Sequence, residues 1–172
     1  RRWVCEVGSG LSLCPLARRE LVKERIRYVA TDANSEEGLL TALQEAMMHL
    51  DQQPEVETTL LVHPDVLTDF MDYNDFLDAA DGLLVHLELD GEYQIASFHP
   101  DYQFGGTNAA DAENYTNRSP YPMLHLLRER SLERAIAGYP GTESIPEQNV
   151  ELMNRLGAGH MRNLLIRTLS PG

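Results

Sequence analysis

Three short runs rich in β-branched and aromatic residues alternate with two stretches of helical periodicity, and this alternation restricts the chain to an α/β fold. The runs are residues 26–31 (IRYVAT), 58–62 (TTLLV) and 93–98 (YQIASF), each bounded by polar or turn residues. The first crossover begins at Asn34 or Ser35 and puts Leu39, Leu43, Ala46 and Leu50 on one stripe. In the second, Val66, Phe70, Tyr73, Leu77, Ala80, Leu84 and Leu87 recur in steps of three and four. Its opposite face carries Asp65, Asp69, Asp72, Asp75, Asp78 and Asp81, which read as a solvated helix face rather than a cation site.

A loop of about twenty residues, His99 to Ser119, follows the third run. Residues 120–137 look helical, with Ser119-Pro120 as a helix start, and a last helical region runs from Pro146 to Leu169. Ser144-Ile-Pro-Glu147 spells a capping box, and Gly157 and Gly159 divide the last region. The expected architecture is a three-stranded, mainly parallel sheet with flanking helices and a helical C-terminal extension, forming one α/β domain over residues 1–172. Strand orders 2-1-3 and 1-2-3 both satisfy right-handed crossovers.

The formal charge of −13 repels phosphate backbones and anionic membrane surfaces, so neither nucleic acid nor membrane is expected as a partner. A local basic surface is compatible with that charge, because the first 27 residues hold Arg1, Arg2, Arg18, Arg19, Lys23, Arg25 and Arg27. Two cysteines, Cys5 and Cys14, form no disulfide framework, and no apolar run reaches membrane-spanning length; a reduced cytoplasmic protein is expected. The chain opens on Arg1-Arg2 without an initiator Met or signal peptide, so a short preceding stretch is expected to be missing. The overlapping acceptors at Asn114 and Asn117 would matter only in a secreted protein.

Strands two and three end alike, in LVHPD at 61–65 and FHPDY at 98–102. In an open parallel sheet, ligands bind beyond the carboxyl ends of the strands, where His63, His99 and Thr31-Asp32 would all fall. His63-Pro-Asp65 can equally be a strand stop, with Asp65 capping the next helix. His99 is the stronger candidate for acid–base chemistry, because a long loop rather than a helix follows it; Asp101 or Asp32 could orient it and His63 could assist. Asn117, Arg118 and Ser119, ahead of an expected helix N-terminus, suit an anion. Tyr102, Tyr121 and His125 are expected beside the same crevice.

Cys14, ahead of Pro15 and near Arg18 and Arg19, is a candidate nucleophile if it sits at a helix start, where the thiolate is favoured; a packing cysteine is the plainer alternative. A metal would need His63, His99 and His125 to converge with Asp65, Asp101 or Glu113, and no compact ligand spacing supports this. Walker and GxGxxG loops are absent, and Gly8-Ser-Gly10 and Gly105-Gly106 read as turns.

The tracts FHPDYQFGG at 98–106 and ENYTNRSPYPMLHLLRE at 113–129, with LCPLA and DYNDFLD, resemble the bacterial family catalogued as domain of unknown function 1415. The resemblance spans essentially the whole chain; Leu16 stands where the family's pattern usually has Phe. It implies no particular reaction, cofactor or partner. The residues themselves point to an enzyme acting on a small anionic metabolite, with a histidine-ligated metalloenzyme and a non-catalytic binding module as alternatives.

Overall fold

The computed structural model describes residues 1–11, 23–138 and 144–169. The fold is mixed α/β. Strands β1 (Ile26–Ala30), β2 (Thr58–Val62) and β3 (Tyr93–Phe98) form where the sequence predicts them. A fourth strand, β4 (Met123–Arg128), joins them, and the sheet order is β1-β2-β4-β3. β1 and β2 are parallel, whereas β4 is antiparallel to both β2 and β3. The three expected strands therefore share a direction, but the sheet is four-stranded and mixed rather than three-stranded and mainly parallel.

The difference has a physical cause. β4 lies in the middle of the sheet, and Met123, Leu124, Leu126 and Leu127 are all buried. A strand covered on both faces loses period-two alternation and becomes a continuous apolar run, which periodicity does not separate from a buried helix. Here that run leads directly into helix α3 (Glu129–Gly138), so residues 120–137 read as one helix.

The two crossovers are helices α1 (Glu36–Gln52) and α2 (Phe70–His86). Ser35 caps α1, its hydroxyl accepting from the Gly38 N–H, and Leu39, Leu43, Ala46 and Leu50 are all buried on the predicted stripe. α2 is capped by Asp69, which accepts from the N–H groups of Met71 and Asp72; Asp65 does not cap it. Between His63 and Asp69 the chain instead turns through Leu67, which has φ 56°. Val66 and Leu67 are buried in that turn, so the expected stripe begins there before the helix does.

Alternate residues of the central strands face opposite sides. Leu61, Leu124 and Leu126 pack under α1 and α2 with Tyr73 and Phe76. Leu60 and Met123 pack on the other side with Trp3, Tyr115, Met153, Met161 and Leu164. That second face is covered by a π-helical segment (Val4–Ser9), a 3-10 turn (Ala112–Thr116) and helices α4 (Ile145–Leu156) and α5 (Ala158–Leu169). Gly157, with φ 81°, separates α4 and α5 as expected. The capping box does not close: Ser144 makes no side-chain cap, and its hydroxyl accepts from Gln148. No described helix is long and apolar enough to cross a membrane.

Candidate functional site

Register places the two histidines. Val62 and Phe98 are both paired with Met123, so His63 and His99 each stand one residue past it, level with each other on either side of β4. Two strand spacings, about 10 Å, separate their backbones. Both side chains are fully buried on the α2 side of the sheet, and the ring of Tyr73 lies between them. Its centroid is 5.9 Å from His63 and 5.0 Å from His99. The Tyr73 hydroxyl donates to the Met123 carbonyl and accepts from the Phe98 N–H, tying α2 to β3 and β4.

Hydrogen bonding fixes the His99 tautomer. The Asp101 N–H donates to Nδ1 at 3.0 Å, so Nε2 carries the proton and donates to the Leu67 carbonyl at 3.1 Å. It is thus the Asp101 backbone that holds His99, while the Asp101 side chain is exposed. His63 uses the other nitrogen: Nδ1 donates to the Val66 carbonyl at 3.0 Å, and the buried Nε2 has no partner. Burial holds both imidazoles below the ordinary histidine pKa, most strongly opposed at each ring by a backbone carbonyl, and at His99 also by Asp101 and Asp69.

The polar side chains expected to bind an anion are spent on backbone carbonyls of the loop and its flanks. Arg118 donates from Nε to the Tyr102 carbonyl at 3.1 Å and from Nη2 to the Ala109 carbonyl at 2.7 Å. Its guanidinium lies 4.6 Å from the Tyr115 ring centroid. Asn117 donates to the Ser97 carbonyl, and buried Ser119 donates to the Tyr121 carbonyl. The helix N-terminus expected beside them is not formed, because residues 117–122 lead into β4. Tyr102 packs against Phe70 and Phe104, and Tyr121 is exposed.

His125 is on a strand, not one turn into a helix, and it faces the other side of the sheet, where it packs against Phe98. Its Nε2–H donates to Thr58 Oγ1 at 2.7 Å, since that hydroxyl donates its own proton to the Leu126 carbonyl. Burial pushes its pKa down to about 4. The three histidines therefore do not converge, and among the described residues no group of three His, Cys, Asp or Glu side chains could hold a metal ion. Cys14, with Arg18 and Arg19, lies outside the described residues.

At the opposite end of the sheet, the amino ends of β1, β2 and β3 meet the carboxyl end of β4 around an open cavity of about 490 Å³. Arg25, Arg128, Arg130 and Arg134 line it, against two carboxylates, Glu57 and Glu92. Three of these arginines have structural ties. Arg25 pairs with Glu57 at 3.0 Å. Arg128 gathers the carbonyls of Leu50, Gln53 and Val56 at the end of α1 and donates to the Tyr93 hydroxyl. On α3, Arg134 donates to the Arg130 carbonyl and to Ser131 Oγ. The exposed Arg130 guanidinium has no hydrogen bond or ion pair among the described residues.

This cluster is not legible in the sequence because its charged members are far apart along the chain: Arg25 before β1, Glu57 before β2, Glu92 before β3, Arg128 at the end of β4, and Arg130 and Arg134 on α3. One local signal was present: Arg128, Arg130 and Arg134 in RERSLER, which becomes a basic strand end and helix turn once β4 is separated from α3. Comparison with curated proteins and with solved structures finds no match. A family model described as a protein of unknown function (DUF1415) matches residues 1–163, and the chain belongs to that family.

Proposed function

We propose that the protein binds a small anionic molecule in the arginine-lined cavity at the amino ends of the parallel strands. The observation that carries this reading is Arg130: an unpartnered guanidinium at a cavity where arginines outnumber carboxylates four to two, in a chain of net charge −13. Cations so placed against the overall charge make a local attractive potential that an anion can enter. The volume of about 490 Å³ falls in the range of small-molecule sites.

A thermal-shift panel of small anions at fixed ionic strength tests it. A bound anion at a hundredfold excess over its dissociation constant stabilises the folded state by about 2.7 kcal/mol, raising the melting temperature by several degrees. Arg130→Gln combined with Arg134→Gln should remove that rise. No rise with any anion, or an equal rise in the double variant, would refute the reading.

A second reading keeps the enzyme at the carboxyl ends but moves the acid–base role from His99, whose two ring nitrogens are both hydrogen-bonded, to His63. What favours it is the buried Nε2 lone pair of His63, which has no partner. On this reading, His63→Gln abolishes any turnover found for the chain while leaving its melting temperature within a few degrees. A large loss of stability with turnover retained would mark His63 as a structural residue.

A further inference from the structure

We infer that the ligand of the arginine cavity carries a dianionic phosphomonoester group on a small organic body, with the phosphate seated on α3; this rests on the anion-binding reading above. Four arginines against two carboxylates leave two positive charges on the lining, the complement of one dianion. The donors not consumed by the fold are also concentrated. Arg128 is spent on the end of α1, and Arg25 is paired with Glu57. Arg130, Ser131 and Arg134 remain, within one helical turn that rises only about 6 Å.

Arg134 is held by its Nε and Nη2 bonds to the Arg130 carbonyl and to Ser131 Oγ, which leaves Nη1 to offer. Ser131 is buried and lines the cavity, and because its oxygen accepts from Arg134, its hydroxyl proton is available to donate. Two guanidinium groups and a hydroxyl on one turn match the three terminal oxygens of a single phosphate. They do not match the two separated charges of an extended dicarboxylate. The cavity exceeds what a bare phosphate fills, and Pro54, Gly91 and Tyr93 are also among its lining residues, which leaves room beside the phosphate for a small organic body.

Isothermal titration with three probes, glycerol phosphate, succinate and acetate, at constant ionic strength tests the inference. Glycerol phosphate should bind one to one and at least tenfold more tightly than succinate or acetate. Its affinity should fall as pH is lowered through about 6, where a phosphomonoester loses its second charge while arginine keeps its own. Arg130→Gln and Arg134→Gln should each weaken it tenfold or more, with folding confirmed by circular dichroism. Succinate or acetate binding as tightly as glycerol phosphate, with both variants weakening it, overturns the phosphate assignment and leaves the anion site standing. No saturable binding of any probe, or binding indifferent to both variants, overturns the assignment and the site together.

Discussion

At the scale of single residues, the histidines behave as neutral connectors. His99 joins the Leu67 carbonyl, in a left-handed turn, to the Asp101 N–H at the start of the long loop. His99→Ala would leave both groups unsatisfied and open a cavity beside Tyr73, at an expected cost of about 2–4 kcal/mol in chemical denaturation. Loss of less than about 1 kcal/mol would mean the hydrogen bonds contribute little. The same burial makes stability depend on pH. His63, His99 and His125 all have folded pKa values below the ordinary 6.5, His125 near 4. Below pH 6.5 the unfolded chain therefore binds more protons than the folded one. Their contribution is complete above about pH 6.5 and is lost as pH falls from there toward 4. Melting temperature should drop by several degrees between pH 7.5 and 5, above the range where ordinary carboxylates titrate. An unchanged melting temperature across that interval would contradict neutral, buried imidazoles.

At the scale of elements, Arg118 is the clamp of the 99–119 loop. Its fork spans the carbonyls of Tyr102 and Ala109 while its face rests on Tyr115. Arg118→Ala should accelerate proteolysis within residues 102–110, and Arg118→Lys should rescue little, because an ammonium lacks the planar fork and stacking face. Full rescue by Lys would show that charge alone matters. Burial alone does not decide legibility: β2 is as buried as β4, yet its short TTLLV run stands by itself between polar residues and reads as a strand, whereas the β4 run continues directly into α3. β1, β3 and the crossover helices each keep a polar side, so their periodicities were readable, and the shared His-Pro-Asp endings correctly put His63 and His99 at one end of the sheet. β4 has no polar side and was not readable as a strand. With the β4 run read as helix, the residues before it look like a helix entry, and the anion expectation falls on Arg118. The helix turn that carries Arg130 and Arg134 begins only where β4 ends.

At the scale of the whole molecule, the two ends of the sheet differ in character. The carboxyl end is closed by aromatic rings and buried imidazoles and flanked by Asp65, Asp69 and Asp101. The amino end opens on arginines. On the proposed reading, the cavity's arginines attract an anion against a net charge of −13, so binding should weaken as salt screens that field. Arg128 links this end to the fold by holding the end of α1. Arg128→Ala should therefore cost about 2–3 kcal/mol of stability, in contrast to near-neutral changes at exposed Arg130. The most direct test of the central claim is a map of amide chemical-shift changes as glycerol phosphate is added to the isotope-labelled protein. Shifts should cluster at residues 91–93 and 128–134, with residues 63, 99 and 118 silent; shifts confined to 63, 99 and 118 would place the site at the carboxyl ends and contradict the account.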